Sequence, residues 1–198
     1  MPTVVGQYDR DGDVHYDLLS CLQKSIRGSD PDAAVFYLAK ILAGGDLLSV
    51  CRRLQVIASE DVGNAYPLAA VVTRACCESA KELGMPEARI PLSECTIYLA
   101  SSPKSNSAYM AINEALAVAK ETQTAAVPLY LRNAPTQLMA DLGYSDGYKY
   151  AHDYPGHFAD LEFMPQELAG RKFYEPAENK QEESLRSRLE VLWPKYYK

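Results

Sequence analysis

The side chains best suited to chemistry cluster in GYKYAHDYPGHF, from Gly147 to Phe158, which holds two of the three histidines, an aspartate and three tyrosines. His152 and His157, with Asp153 as a third ligand, would offer two imidazoles and a carboxylate to a metal, a donor set suited to a metal-dependent hydrolase. The spacing argues for another use. Pro155 precludes a helix between the two histidines, two-histidine sites more often fall at i, i+4, and no fourth ligand stands out. The expectation is therefore a loop without metal, in which Tyr150, His152 and Asp153 make hydrogen bonds or line an interface.

Other candidate chemistries are weaker still. A phosphate-binding loop needs glycines before its Lys-Ser pair, so that backbone N–H groups can wrap phosphate. Lys104-Ser105 follows Pro103 and no glycine, so Ser105 reads as a helix cap. QVIASED ends in two acids, as a Walker B strand does, but its apolar residues follow helical spacing and place Glu60 and Asp61 at a helix end. In YDRDGD, Asp9, Asp11 and Asp13 lack the glycine and glutamate offsets of a calcium loop. Cys76 and Cys77 have no histidine tied to them by sequence, and buried thiols are inert. No catalytic residue and no cofactor-binding residue is assigned. Lys24, Arg27, Arg52, Arg53 and Lys104 are the candidates for DNA contact if the fold gathers them.

The elements that must position these residues are helices. Leu18, Leu22 and Ile26 recur at i, i+4, i+8, and Gly28 stops that helix. Asp30 then caps a second helix that begins at Pro31, buries Val35, Leu38, Ala39 and Leu42, and ends at Gly44-Gly45. Asp46 caps a third, with Leu47, Val50, Leu54 and Ile57 on one face. A fourth runs from Pro67 to Gly84, with Gly63 in the turn before it, and a fifth covers Pro91 to Ala100. A sixth starts near Ser105 with Tyr109, Ile112, Leu116 and Ala119 on one face. Arg132 and Asn133 anchor an irregular segment, broken by a short helix from Pro135 to Leu142, that runs on to Glu178. Glu182 to Trp193 forms the last helix. Val127 to Leu131 is the best strand candidate in an otherwise all-α chain.

Bulk properties narrow the function. The 198 residues carry a net charge of −6, which argues against a broad nucleic-acid surface. Five cysteines, an odd number without a C-x-x-C pair, read as buried apolar residues in a reducing cytoplasm. No apolar run reaches membrane-span length and no signal-peptide pattern opens the chain. The start, MPTVVGQYDRDGD, reads as the interior of a longer protein. Fourteen tyrosines suit interface anchoring, because they bury large areas with few rotors.

The blocks YDRDGDVHYDLLSCLQKSIRGSDPDAAVFYLAKIL, IASEDVGNAYP, YLASSPKSNSAY, LRNAPTQLM and GYKYAHDYPGHF closely resemble the C-terminal region of the RarA/MgsA replication-associated recombination ATPases, the group that includes the Werner-helicase-interacting protein. The resemblance implies a clamp-loader-like AAA+ ATPase whose N-terminal module carries the Walker motifs, ATP and magnesium. None of those motifs occurs in this chain, so it is expected to have no ATPase activity and no cofactor of its own. It further implies that residues 1–62 follow or complete the ATPase lid. Residues 63–198 would then form a helical domain that assembles homotetramers. The parent would be cytoplasmic and nucleoid-associated, act on DNA at stalled forks and meet single-strand-binding protein. A DNA-binding module is the alternative from a different class.

Overall fold

The computed structural model describes residues 12–198; Asp9, Asp11 and the opening stretch lie outside them. Among the described residues there are eight α-helices and no strand. They are α1 (Asp13–Arg27), α2 (Pro31–Ala43), α3 (Leu47–Ile57), α4 (Leu68–Leu83), α5 (Arg89–Ser101), α6 (Ser107–Glu121), α7 (Gln137–Asp141) and α8 (Lys180–Leu192). The chain divides into two compact units. The first is Met1–Met110 with Pro176–Ser184, and the second is Ala111–Glu175 with Leu185–Lys198.

In the first unit α1 packs on α2, α2 on α5, and α4 on α5 and α3. Their apolar stripes close a single core around Leu22, Ile26, Ile41, Val50, Leu54, Ile57, Leu92 and Leu99. Each such side chain contributes about 1.5–3 kcal/mol when fully buried. The 62/63 junction falls inside this unit, and Val62 and Ala69 belong to the same core. The helix boundaries follow local chemistry. Asp30 accepts a hydrogen bond from Ala33 N at 2.9 Å, and Asp46 accepts one from Ser49 N at 3.1 Å. The other Asp46 oxygen lies 3.4 Å from His15 Nε2, which ties α1 to the start of α3.

The α2 stripe is rotated from its expected position. Ala34, Leu38, Ile41 and Leu42 are buried, whereas Ala39 is exposed and Val35 only partly covered. The helix is apolar nearly all round, so spacing alone does not select its inner face; contact with α1 and α5 does. At the end of α1 the left-handed residue is Ser29, with φ 60°, and not Gly28. Gly28 sits in tight space, since a Cβ there would stand 3.1 Å from Lys24 O.

The second unit is built differently. It holds most of α6, α7, the last part of α8 and a long irregular stretch of short turns. Only Val118 and Ala159 are buried in it. The expected inner face of α6 is exposed: Tyr109, Ile112 and Leu116 are 42%, 54% and 53% accessible. Helical spacing was read correctly there, but a stripe shows which residues share a side and not what covers them. The strand candidate is a 3-10 turn at Leu129–Leu131, held by a hydrogen bond from the Tyr130 hydroxyl to the carbonyl of Glu162.

Candidate functional site: a polar junction in the first unit

Three sequence blocks converge at one polar junction: the end of α1, the π-helical turn Ala58–Val62 that extends α3, and the Ser102–Asn106 link before α6. Asp61 is buried at its centre. Its carboxylate accepts from Arg27 Nε at 2.6 Å and from Gln23 Nε2 at 3.1 Å. Glu60 accepts from Gln23 Nε2 at 2.7 Å and lies 3.7 Å from Arg27 Nη2. Gln23 in turn accepts from Arg53 Nη1 at 2.8 Å. The hydrogen bond to Asp61 raises the Arg27 guanidinium above its ordinary value, against an opposing effect of burial. Both adjacent carboxylates face the one Arg27 guanidinium and the Gln23 amide, so the cluster fastens the end of α1 to the turn after α3.

The link closes on the turn through its backbone. Ser105 N donates to Asp61 O at 2.8 Å. Gly63, with φ 48°, lets the strands of chain approach, since a Cβ on it would sit 2.9 Å from Ser105 O. Lys104 Nζ donates to the carbonyls of Ala100 (3.0 Å) and Ser102 (2.6 Å) at the end of α5, and to Ser29 Oγ (3.1 Å). The ammonium thus complements the negative end of α5, while burial lowers its pKa. A cleft of about 470 Å³ opens beside Arg27, Lys104, Asn106 and Tyr109.

The sequence did not single out Gln23, Asp61 or Glu182 as structural hubs. Ser105 Oγ accepts from Ser107 N at 3.3 Å and donates to Ser107 Oγ at 3.0 Å. Ser107 Oγ donates to the buried Glu182 carboxylate. Asn179 Nδ2 donates to Glu182 Oε2 at 2.6 Å, and Glu182 N donates back to Asn179 Oδ1 at 2.9 Å. The signal was present as Asn179-x-x-Glu182, the spacing of a capping box.

The remaining candidates are dispersed. Lys24 and Arg52 are exposed. In the second unit Arg132 donates to Val127 O and to the Tyr144 hydroxyl, while Ser145 Oγ donates to Arg132 O; Asn133 is exposed. Tyr150, His152 and Asp153 are surface residues around short 3-10 turns. The Tyr150 and His152 rings lie 5.3 Å apart, and Asp153 N donates to Tyr150 O at 2.9 Å. Among the described residues no group of three or more His, Cys, Asp or Glu is arranged to hold a metal ion. Cys51, Cys76, Cys77 and Cys95 are buried. Burial pushes the Cys95 thiol up to about 12, which keeps it protonated and unreactive.

Comparison with known proteins covers most of the chain. A family described as MgsA AAA+ ATPase C terminal matches residues 28–193. "Replication-associated recombination protein A" of Haemophilus influenzae is 46% identical over 188 residues, 94% of this chain and 42% of that protein. The protein of the same name from Bacillus subtilis is 44% identical over 191 residues, covering 96% and 45%. "ATPase WRNIP1" of Dictyostelium discoideum is 36% identical over 173 residues, covering 85% and 19%. The chain thus spans less than half the length of these relatives.

Proposed function

Because the chain belongs to the MgsA AAA+ ATPase C-terminal family, we propose that it is the assembly region of a clamp-loader-like AAA+ ATPase acting in replication-associated recombination and repair. In this reading it joins copies into a homotetramer, and ATP and magnesium belong to an N-terminal module. Residues 1–62 continue the lid of that module, and residues 63–198 form the family-specific part. The parent works in the cytoplasm at the nucleoid, on DNA at stalled forks, with single-strand-binding protein as a partner. The ATP-binding residues are sought elsewhere, because Lys104 is committed to two carbonyls and a serine hydroxyl and its link offers no glycine cradle for phosphate.

One observation carries the assembly reading. The second unit buries only Val118 and Ala159, yet presents Ile112, Leu116, Leu138, Leu142 and Phe163 to solvent. A segment of that size without a core of its own gains stability by covering such side chains against another surface. Copies of the same chain provide that surface with closed symmetry. The DNA-binding alternative draws less support, because Arg27 pairs with Asp61 and Lys104 caps α5. No helix among the described residues is long and apolar enough to cross a membrane.

Light scattering on the purified chain at tens of micromolar is expected to give a tetramer mass without ATP hydrolysis. Ile112→Asp with Leu116→Asp, both at positions half open to solvent in a single copy, is expected to lower the mass to that of a monomer with helix content kept. A strictly monomeric wild-type chain would refute assembly. A double variant with unchanged mass would remove this stripe from the interface.

A further inference from the structure

We propose that His152 and His157 form a two-histidine chelate for a divalent transition-metal ion such as Zn²⁺. Their sequence spacing gave little reason to expect it, since five residues with a central Pro-Gly suit no helical ligand pair. The turn supplies what the spacing lacks. Gly156 and His157 are consecutive left-handed residues, with φ 66° and 56°, and this reversal carries the second imidazole back onto the first. The ring centroids are 4.9 Å apart with planes inclined at 58°. The two Nδ1 atoms face each other at 3.2 Å.

Two readings share that geometry. In the metal-free chain one Nδ1 carries a proton and the other accepts it, a single imidazole–imidazole hydrogen bond. If both rings are neutral with their protons on Nε2, a rotation of the two exposed rings by some tens of degrees turns both Nδ1 lone pairs toward one ion and the same two atoms become a chelate. With metal–nitrogen bonds of about 2.0–2.1 Å, nitrogens 3.2 Å apart subtend roughly 100° at the ion, between the octahedral and tetrahedral angles. A left-handed non-glycine residue such as His157 is a strained position that persists only when its surroundings hold it. The Tyr150 ring, 5.3 Å from that of His152, limits rotation of the first ligand. Both histidines are exposed, so an ion reaches them without rearrangement of the fold.

The site supplies two ligands from protein and leaves the rest to water, consistent with the lack of any three-residue donor cluster among the described residues. Imidazole nitrogen selects borderline ions such as Zn²⁺ and Ni²⁺ over Mg²⁺ and Ca²⁺, which take oxygen. Half the ligand set of a closed zinc site places the dissociation constant on the order of 1–100 μM. Occupancy would fix the Tyr150–His157 turn in one conformation. The site does not depend on whether the chain assembles.

The chain has only three histidines, so nitrogen NMR of the imidazoles of the untagged full chain resolves the question. Zn²⁺ is expected to shift His152 and His157 together along one single-site binding curve, and to leave His15 unmoved. A hundredfold excess of Mg²⁺ should not displace it. His152→Ala and His157→Ala should each weaken binding at least tenfold with the circular dichroism unchanged. If either variant fails to fold, the wild-type shifts alone decide. Zn²⁺ at 100 μM that leaves both imidazoles unmoved, shifts only His15 or binds the two variants as it binds wild type would overturn the chelate.

Discussion

At the scale of single residues, Gly63 shows how a backbone requirement can sit in plain view without its reason. A glycine before α4 marks a turn, and the sequence says so. What it does not say is that the turn must lie against Ser105, forty-two positions away, because that contact is made by backbone atoms with no pattern of their own. The site joins two costs. Its φ of 48° is left-handed, and a Cβ would stand 2.9 Å from the Ser105 carbonyl. Gly63→Ala is therefore expected to lower unfolding free energy by about 1–3 kcal/mol in urea titration. Gly84→Ala is the internal comparison, since its φ is 70° but no atom lies within 4 Å of the added carbon. It should cost less. Equal losses would mean that the close approach to Ser105 contributes nothing. The charges around Asp61 were legible only as helix-end acids; that Gln23 and Arg27 both reach them follows from the α1–α3 packing, which periodicity does not encode.

At the scale of elements, the helices of the first unit were legible because each one carries a stripe, a start and a stop. Asp30 and Asp46 accept hydrogen bonds where an N-cap should. The last helix was legible as a helix but not as an anchor. Its Asn179-x-x-Glu182 start does two things at once: it closes the first turn of α8 and feeds a carboxylate to Ser107, at the first turn of α6. A carboxylate placed at a helix N-terminus also faces the positive end of that helix dipole. Removing it leaves a buried donor on Ser107 and a partly covered one on Asn179 to be satisfied by others. Glu182→Ala is expected to destabilise the chain by about 2–3 kcal/mol, and Glu182→Gln by less, because the amide oxygen still accepts. A denaturation midpoint for the alanine variant within error of wild type would show that α8 is held by its other contacts.

At the scale of the whole molecule, the contrast between the two units is the physical statement on which the assembly reading rests, and it has a consequence for unfolding. The first unit has a continuous core and five well-packed helices. The second has Val118 and Ala159 and a set of local ties, among them the Phe158–Trp193 edge contact at 5.2 Å and the Lys172–Tyr197 and Lys195–Trp193 cation–ring contacts. Such partly covered ties are individually worth on the order of 0.5–1.5 kcal/mol, against a chain-entropy cost of about 1–2 kcal/mol for each ordered residue. If copies cover its apolar side chains, the stability of the second unit is a function of concentration and that of the first is not. The chain's one tryptophan, Trp193, belongs to the second unit, while most of the helix lies in the first, so two probes separate them. In urea, Trp193 fluorescence is expected to change before the far-ultraviolet helix signal. Its midpoint should rise as protein concentration is raised from about 1 to 100 μM, because the unfolding free energy of an assembled unit grows with RT ln of the concentration and the midpoint follows it through the m-value, while the helix midpoint for the first unit stays fixed. Coincident transitions that ignore concentration would mean that the second unit is stable in one copy, and the exposed α6 stripe would need another explanation.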